Sequence, residues 1–144
     1  MTIERNAVIE LFWRIHPKVY RWSGGRVGGS MIGLPVLLLT TTGRKSGQLR
    51  TKALTYLPQG DDFVVIASNL GDDRHPLWWL NLAADPNAQV QIAGARYPVH
   101  AREAEGDERE QLWRTVTSKT PAYDEYQAQT SRRIPVVVLE RKAA

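Results

Sequence analysis

The apolar positions of this chain change period once, and the change divides it into two kinds of structure. At the start, Val8, Leu11, Phe12, Ile15, Val19 and Trp22 recur at helical spacing. They predict an amphipathic helix over residues 4–15, kinked or ended by Pro17. Arg14, Lys18 and Arg21 fall on or near its other face. Such a helix either caps one end of a β-domain or lies on a membrane surface as a basic amphipathic segment. The glycine-rich stretch 23–30 (SGGRVGGS) reads as a flexible connector, because it lacks the spacing of a dinucleotide or P-loop fingerprint.

From Pro35 onward the pattern is that of strands. Residues 35–41 (PVLLLTT), 51–57, 63–67, 88–92, 95–101 and 134–139 (IPVVVL) are strand candidates. In the fifth, Tyr97, Val99 and Ala101 alternate with Arg96, Pro98 and His100. Helices are predicted over 76–84, with proline in the first turn, over 107–118 and over 122–129. Helices at the start, middle and late positions do not make a βαβ series. The expectation is an α+β fold, a mostly antiparallel barrel of about six strands with short peripheral helices. One domain over residues 1–144 follows, with a helix over 1–22 attached to it.

Composition then narrows the chemistry. With no cysteine, disulfides, thiolate ligands and cysteine nucleophiles are all excluded. No apolar run approaches the roughly 20 residues of a membrane span. Glu4, Arg5 and Glu10 interrupt any signal-peptide core, which predicts a cytoplasmic chain, with the first helix as its only peripheral membrane contact. His16, His75 and His100 have no metal-ligand spacing, so no metal is expected, and His75 before Pro76 reads as a loop or cap residue. No G-x-S-x-G elbow is present. The net charge is +4, but it is unevenly spread. Residues 11–60 hold Arg14, Lys18, Arg21, Arg26, Arg44, Lys45, Arg50 and Lys52 and no acid, whereas Glu103, Glu105, Asp107, Glu108 and Glu110 cluster at a solvated helix start. That asymmetry predicts an anionic partner: a phosphorylated cofactor, an anionic membrane surface or nucleic acid. The absence of a reading motif argues against nucleic acid.

Three segments could supply a site. In residues 40–51 (TTTGRKSGQLRT) two strands flank a turn with Gly43, Gly47, Arg44, Lys45, Ser46, Gln48 and Arg50. Glycines would let consecutive N–H groups converge on an anion, and the forked arginine donors would add to them. The alternative is a solvated hairpin turn. In 67–81 (ASNLGDDRHPLWWLN) a strand end with Ser68, Asn69 and Gly71 meets a helix N-terminus with free N–H groups. Leu77, Trp78 and Asn81 share one side of that helix, a surface suited to a flat, polar-edged ring, while Trp79 reads as core. In 121–135, Tyr123 and Tyr126 share a helical face that could border a pocket or be half-buried core.

Taken together, TTTGRKSGQLRT, ASNLGDDRHPLWWLNLAADP and YDEYQAQTSRRIPVVVLE resemble the deazaflavin-dependent nitroreductase family, whose members are also described as quinone reductases. The resemblance runs over about residues 30–140 in collinear order. It implies a split β-barrel and the cofactor coenzyme F420, a hydroxylated deazaflavin with a phosphate and an oligoglutamate tail. It further implies hydride transfer to a planar, electron-poor acceptor such as a quinone, nitroaromatic or enone. By motif, Arg44, Lys45 and Arg50, with Ser46, Gly47 and Gln48 of the same turn, would hold the phosphate and tail. Ser68, Asn69, Gly71, Leu77, Trp78 and Asn81 would lie along the ring. Tyr126, Tyr123 and Ser68 would be the catalytic hydrogen-bond donors. Where some members have lysine and glycine after the serine, this chain has Asn69 and Leu70, and Thr120 stands where a family tyrosine cluster begins. An FMN-dependent protein on the same barrel, and a non-enzymatic binder of fatty acid or another amphipathic anion, remain the alternatives. A monomer and a homodimer are both compatible with the resemblance.

Overall fold

The computed structural model describes residues 30–31 and 34–142. The helix expected over 4–15, and with it any membrane contact, lies outside the described residues. The elements run β1 (Ser30–Met31), β2 (Leu34–Thr42), β3 (Leu49–Thr55), β4 (Leu57–Gln59), β5 (Asp62–Ile66), a 3-10 turn (Asn69–Gly71) and α1 (Leu77–Ala84). They continue through β6 (Asn87–Ile92), β7 (Ala95–Glu103), α2 (Gly106–Lys119), α3 (Ala122–Ala128) and β8 (Val136–Arg141). The fold is α+β and its strand pairs are antiparallel, as expected.

The strand count corrects the expected six: eight strands occur among the described residues. One addition, β1, has two residues. The other arises because the run 51–57 is not one strand. At Tyr56 the backbone N–H bonds Pro35 O at 2.9 Å, after which the chain leaves the β2 ladder and β4 pairs with β5 instead. The sheet order is β1-β2-β6-β7-β8-β5-β4, with β3 also on β2. Strand β3, beside β2, and strand β4, at the far end of that path, are thus joined through Tyr56 alone, so the sheet must curl on itself.

Curling explains the unbroken apolar runs. On β5, Phe63 and Val65 enter one core while Val64 and Ile66 enter another. On β8, Val137 and Leu139 face the first core and Val136 and Val138 the second. Both faces of these strands are buried, so the period-2 signal is hidden in sequence. The first core holds Leu37, Leu39, Val90 and Val99 and is closed by Trp78 and Leu82 of α1. The second is covered by Leu112 and Val116 of α2 and Tyr123 of α3. Helices α1 and α3 therefore approach the curled sheet from its two faces, and the site forms where both meet the end of β5.

Candidate functional site

A cavity of about 1130 Å3 runs from the β2–β3 hairpin, past α1, to α3. That volume is at the upper end for small-molecule sites. Trp78, Leu54 and Ile66 give it apolar wall, and Arg44, Lys45, Ser46, Arg50 and Lys52 line its basic end.

In the hairpin, Gly43 N–H donates to Gln48 O at 2.7 Å, Gly47 N–H to Gly43 O at 2.8 Å, and Gln48 N–H to Ser46 Oγ at 3.1 Å. Arg44 N–H donates to Asn81 Oδ1 at 3.1 Å. These bonds occupy the N–H groups of Gly43, Arg44, Gly47 and Gln48, which leaves those of Lys45 and Ser46, without a partner among the described residues, for the expected convergence on an anion. The side chains of Arg44, Lys45 and Arg50 are exposed and have no acidic partner among the described residues. Gly47 (φ 73°) and Gln48 build the turn but do not line the cavity.

Asn81 explains how the hairpin is held. Its buried amide accepts from Arg44 N and donates from Nδ2 to Thr41 Oγ1 at 3.1 Å, which ties α1 to the end of β2. Expected along a bound ring, it lines the cavity but spends its hydrogen bonds on the protein. Its neighbour Trp78 is 7% exposed and belongs to the core while lining the cavity; Trp79, expected as the core plug, is only half-buried at the edge. Leu77 is 72% exposed and borders the cavity. Helix α1 begins at Leu77, after Pro76 at its N-cap position, and no side chain caps its first N–H groups.

The loop after β5 is tightly specified. Ser68 is buried, lines the cavity, and its Oγ has no partner among the described residues. A buried hydroxyl is ordinarily hydrogen-bonded, to protein or to ordered water, and the cavity gives this one room for such a partner. Asn69 and Leu70 both adopt positive φ (48° and 57°), followed by Gly71 at 80°. The Asn69 amide donates to Arg74 O at 3.0 Å. Gly71 does not line the cavity; its role is close approach, since a Cβ there would lie 3.0 Å from Tyr126 O and 3.1 Å from Tyr126 Cα. It brings the rim directly onto α3.

The two tyrosines separate in role. Tyr123, 8% exposed, shares a 2.7 Å hydrogen bond with Thr55 Oγ1, so its hydroxyl is already engaged. Tyr126 is half-buried, lines the cavity, and presents a hydroxyl without a partner among the described residues. The rings meet edge to face, 5.9 Å apart at 79°. Burial pushes both phenols above their ordinary value, with Tyr126 adding to Tyr123 and Glu125 adding to Tyr126, while the Thr55 hydrogen bond pulls Tyr123 back. Both stay protonated at neutral pH.

Two residues of the site were missed in the sequence. Arg132 donates to three carbonyls of the rim, and His75 lines the cavity beside it. The dipeptide Arg132-Arg133 gives no sign that one arginine is half-buried and the other exposed. Among the described residues no cluster of metal-ligating side chains occurs, and no helix is long and apolar enough to cross a membrane.

Residues 12–141 match the model of the family described as F420H(2)-dependent quinone reductase. An F420H(2)-dependent quinone reductase of Mycobacterium tuberculosis (strain ATCC 25618 / H37Rv) is 40% identical, covering 97% of this chain and 96% of that protein. Among solved structures, an F420-H2 dependent reductase (FDR-A) aligns at 41% identity and TM-score 0.68, covering 74% of this chain and 94% of that one. A second, described as a domain-swapped dimer, aligns at 36% identity and TM-score 0.70, covering 88% and 95%.

Proposed function

The chain belongs to the F420H(2)-dependent quinone reductase family, and from that premise we propose that it is an oxidoreductase moving hydride from reduced coenzyme F420 to a planar, electron-poor acceptor of the quinone type. One observation supports this reading above the others: three rim cations share a cavity with the hydroxyls of Ser68 and Tyr126, and among the described residues the cations have no acidic partner and the hydroxyls no partner. An anionic cofactor answers the first feature and a polar ring or acceptor the second, so the residues present fit the group.

When bound, the reduced deazaflavin supplies two electrons together as hydride. Arg44, Lys45 and Arg50 hold the phosphate and tail carboxylates by charge-assisted hydrogen bonds. Trp78 and Leu77 bound the space for a flat ring, and Asn81 keeps the hairpin registered against α1. Tyr126 and Ser68 donate to the acceptor oxygen on which negative charge develops, where a preorganised donor has its greatest effect. Because burial raises the Tyr126 phenol, it donates at neutral pH without ionising. Tyr123 orients Tyr126 through the ring contact and Thr55. Nitroaromatic and enone acceptors make the same demand on these donors.

The curled sheet is read as a split barrel, and the domain-swapped dimer among the relatives supports a homodimer for this chain. Parallel fluorescence titrations with F420 and FMN, followed by oxidation of F420H2 by a soluble quinone, test the function. Tight FMN binding with no F420 binding, or a co-purifying fatty acid with neither, would overturn it.

A further inference from the structure

The proposed chemistry leaves Arg132 and His75 without a role, yet His75 lines the cavity and Arg132 makes four hydrogen bonds with the rim behind it. Arg132 Nε donates to Asp72 O at 2.9 Å, Nη1 to Ala67 O at 3.2 Å and Nη2 to Ser68 O at 2.7 Å. Nη1 also lies 3.2 Å from His75 Nδ1. One planar, permanently charged fork thus gathers both ends of the rim between Ala67 and His75. A second tie runs from Thr130 Oγ1 to Asp73 Oδ1 at 2.8 Å. This is the segment in which Asn69, Leu70 and Gly71 hold consecutive positive φ, a costly arrangement for Leu70 that persists only where the surroundings over-determine it.

The guanidinium also decides the state of His75. Arginine has five donors and no lone pair, so His75 Nδ1 must be the acceptor and the ring proton must sit on Nε2. Burial, helped by the Arg132 charge and opposed by Glu103, lowers the imidazole below its ordinary value and keeps it neutral. His75 lines the cavity, and its Nε2–H has no partner among the described residues. Three residues with uncharged donors therefore line one cavity: Ser68, Tyr126 and His75.

We propose that Arg132 is a positioning residue that fixes the Ala67–His75 rim and the Nε2–H tautomer, and that His75 is a third neutral donor to an oxygen of the bound acceptor. The inference rests on the reductase reading, which names what is bound. A neutral donor suits the task, because it stabilises growing negative charge without placing a second cation against Arg132.

The test begins without any ligand. In 15N NMR of the free protein at pH 7, His75 should show a protonated Nε2 and a bare, hydrogen-bonded Nδ1. In Arg132→Lys and Arg132→Gln the ring should relax to a mixture of tautomers. With F420H2 and a water-soluble naphthoquinone, His75→Phe should raise the quinone KM or lower kcat by about five- to tenfold, the size of one neutral hydrogen bond. Its F420 affinity should stay within about twofold. A wild-type ring protonated on Nδ1, or cationic at pH 7, would overturn the Arg132 assignment. Unchanged KM and kcat in His75→Phe would overturn the donor role. Should the Arg132 variants fail to fold, the wild-type spectrum and His75→Phe still decide both parts. Failure of the wild-type protein to bind F420 or oxidise F420H2 would instead sink the reductase reading, and the tautomer spectrum distinguishes the two failures.

Discussion

The hairpin at 42–49 and the rim at 67–76 border the same cavity and are built on opposite plans. In the hairpin four backbone N–H groups are held by backbone carbonyls and by the side chains of Ser46 and Asn81, and the charged side chains project without acidic partners among the described residues. In the rim the side chains Arg132, Asn69 and Thr130 are spent on holding a strained backbone. The first plan suits an anionic, flexible tail, where long cations adapt and little precision is needed. The second suits a reacting centre, where a small displacement of a donor is costly to rate. On the proposed function the cavity would join a recognition end to an orientation end, and the substitutions below should affect the two ends differently.

The largest effect on folding is expected at Gly71. Alanine there combines a left-handed backbone with a Cβ at 3.0 Å from Tyr126 O, and neither the rim nor α3 can easily yield. Gly71→Ala should lose about 2–4 kcal/mol of stability, measured by denaturant unfolding. Next is Tyr126→Phe, which should cut turnover with a soluble quinone by about tenfold to a hundredfold while F420 affinity holds. Tyr123→Phe serves as its control. It strands the buried Thr55 hydroxyl, so about 1–2 kcal/mol of stability should be lost with a smaller change in turnover. Equal turnover losses in the two variants would remove the distinction drawn between the phenols. Their raised pKa values also carry a sign for pH. The fold favours the neutral phenols, so this contribution is full below the unfolded value of about 10 and declines as pH rises through the higher folded values.

At the recognition end, Arg44→Ala, Lys45→Ala and Arg50→Ala should each weaken F420 binding by about tenfold. The loss should shrink with added salt because these groups are exposed. Turnover at saturating cofactor should change little, since contacts remote from the reacting atoms favour ground and transition states alike. Salt-independent losses would place these cations in a buried contact rather than on an open rim.

Much of the fold was legible because its strands announce themselves by apolar runs between turns. The helices starting near Pro76 and Gly106, and the strands at 63–67 and 134–139, were each found within a residue or two. What failed was local. A three-residue strand such as β4 has no period to detect, and the switch at Tyr56 depends on a hydrogen bond to Pro35, far along the chain. At the site, the cations of 44–50 were visible as charge and Asn81 lines the cavity as expected, but its tie to the hairpin was not legible, because its two partners belong to other elements. Trp78 lines the cavity as expected but is also the more buried of the two tryptophans, because adjacent positions on a short helix give no indication of which one meets the core. Gly71 could be identified as a loop glycine but not as the contact point of two elements.

The smallest expected effect makes the sharpest comparison, because it tests how the hairpin holds an anion. Gly47 shares the left-handed backbone of Gly71 (φ 73° against 80°), but a Cβ there would meet nothing within 4 Å. Gly47→Ala should therefore carry only the backbone cost of about 1–2 kcal/mol for a left-handed alanine, well below Gly71→Ala. Its effect on binding follows from the hydrogen bonds of the turn. If side-chain charge alone recognises the cofactor, a slightly strained turn still presents Arg44, Lys45 and Arg50, and F420 affinity should change by less than about twofold. If backbone N–H groups held the phosphate, the same substitution would disturb their alignment and affinity would fall as far as in Arg50→Ala. Fluorescence titration of the two variants beside wild type, at low and high salt, separates these outcomes. A tenfold loss in Gly47→Ala would mean that the hairpin recognises its ligand through the backbone after all.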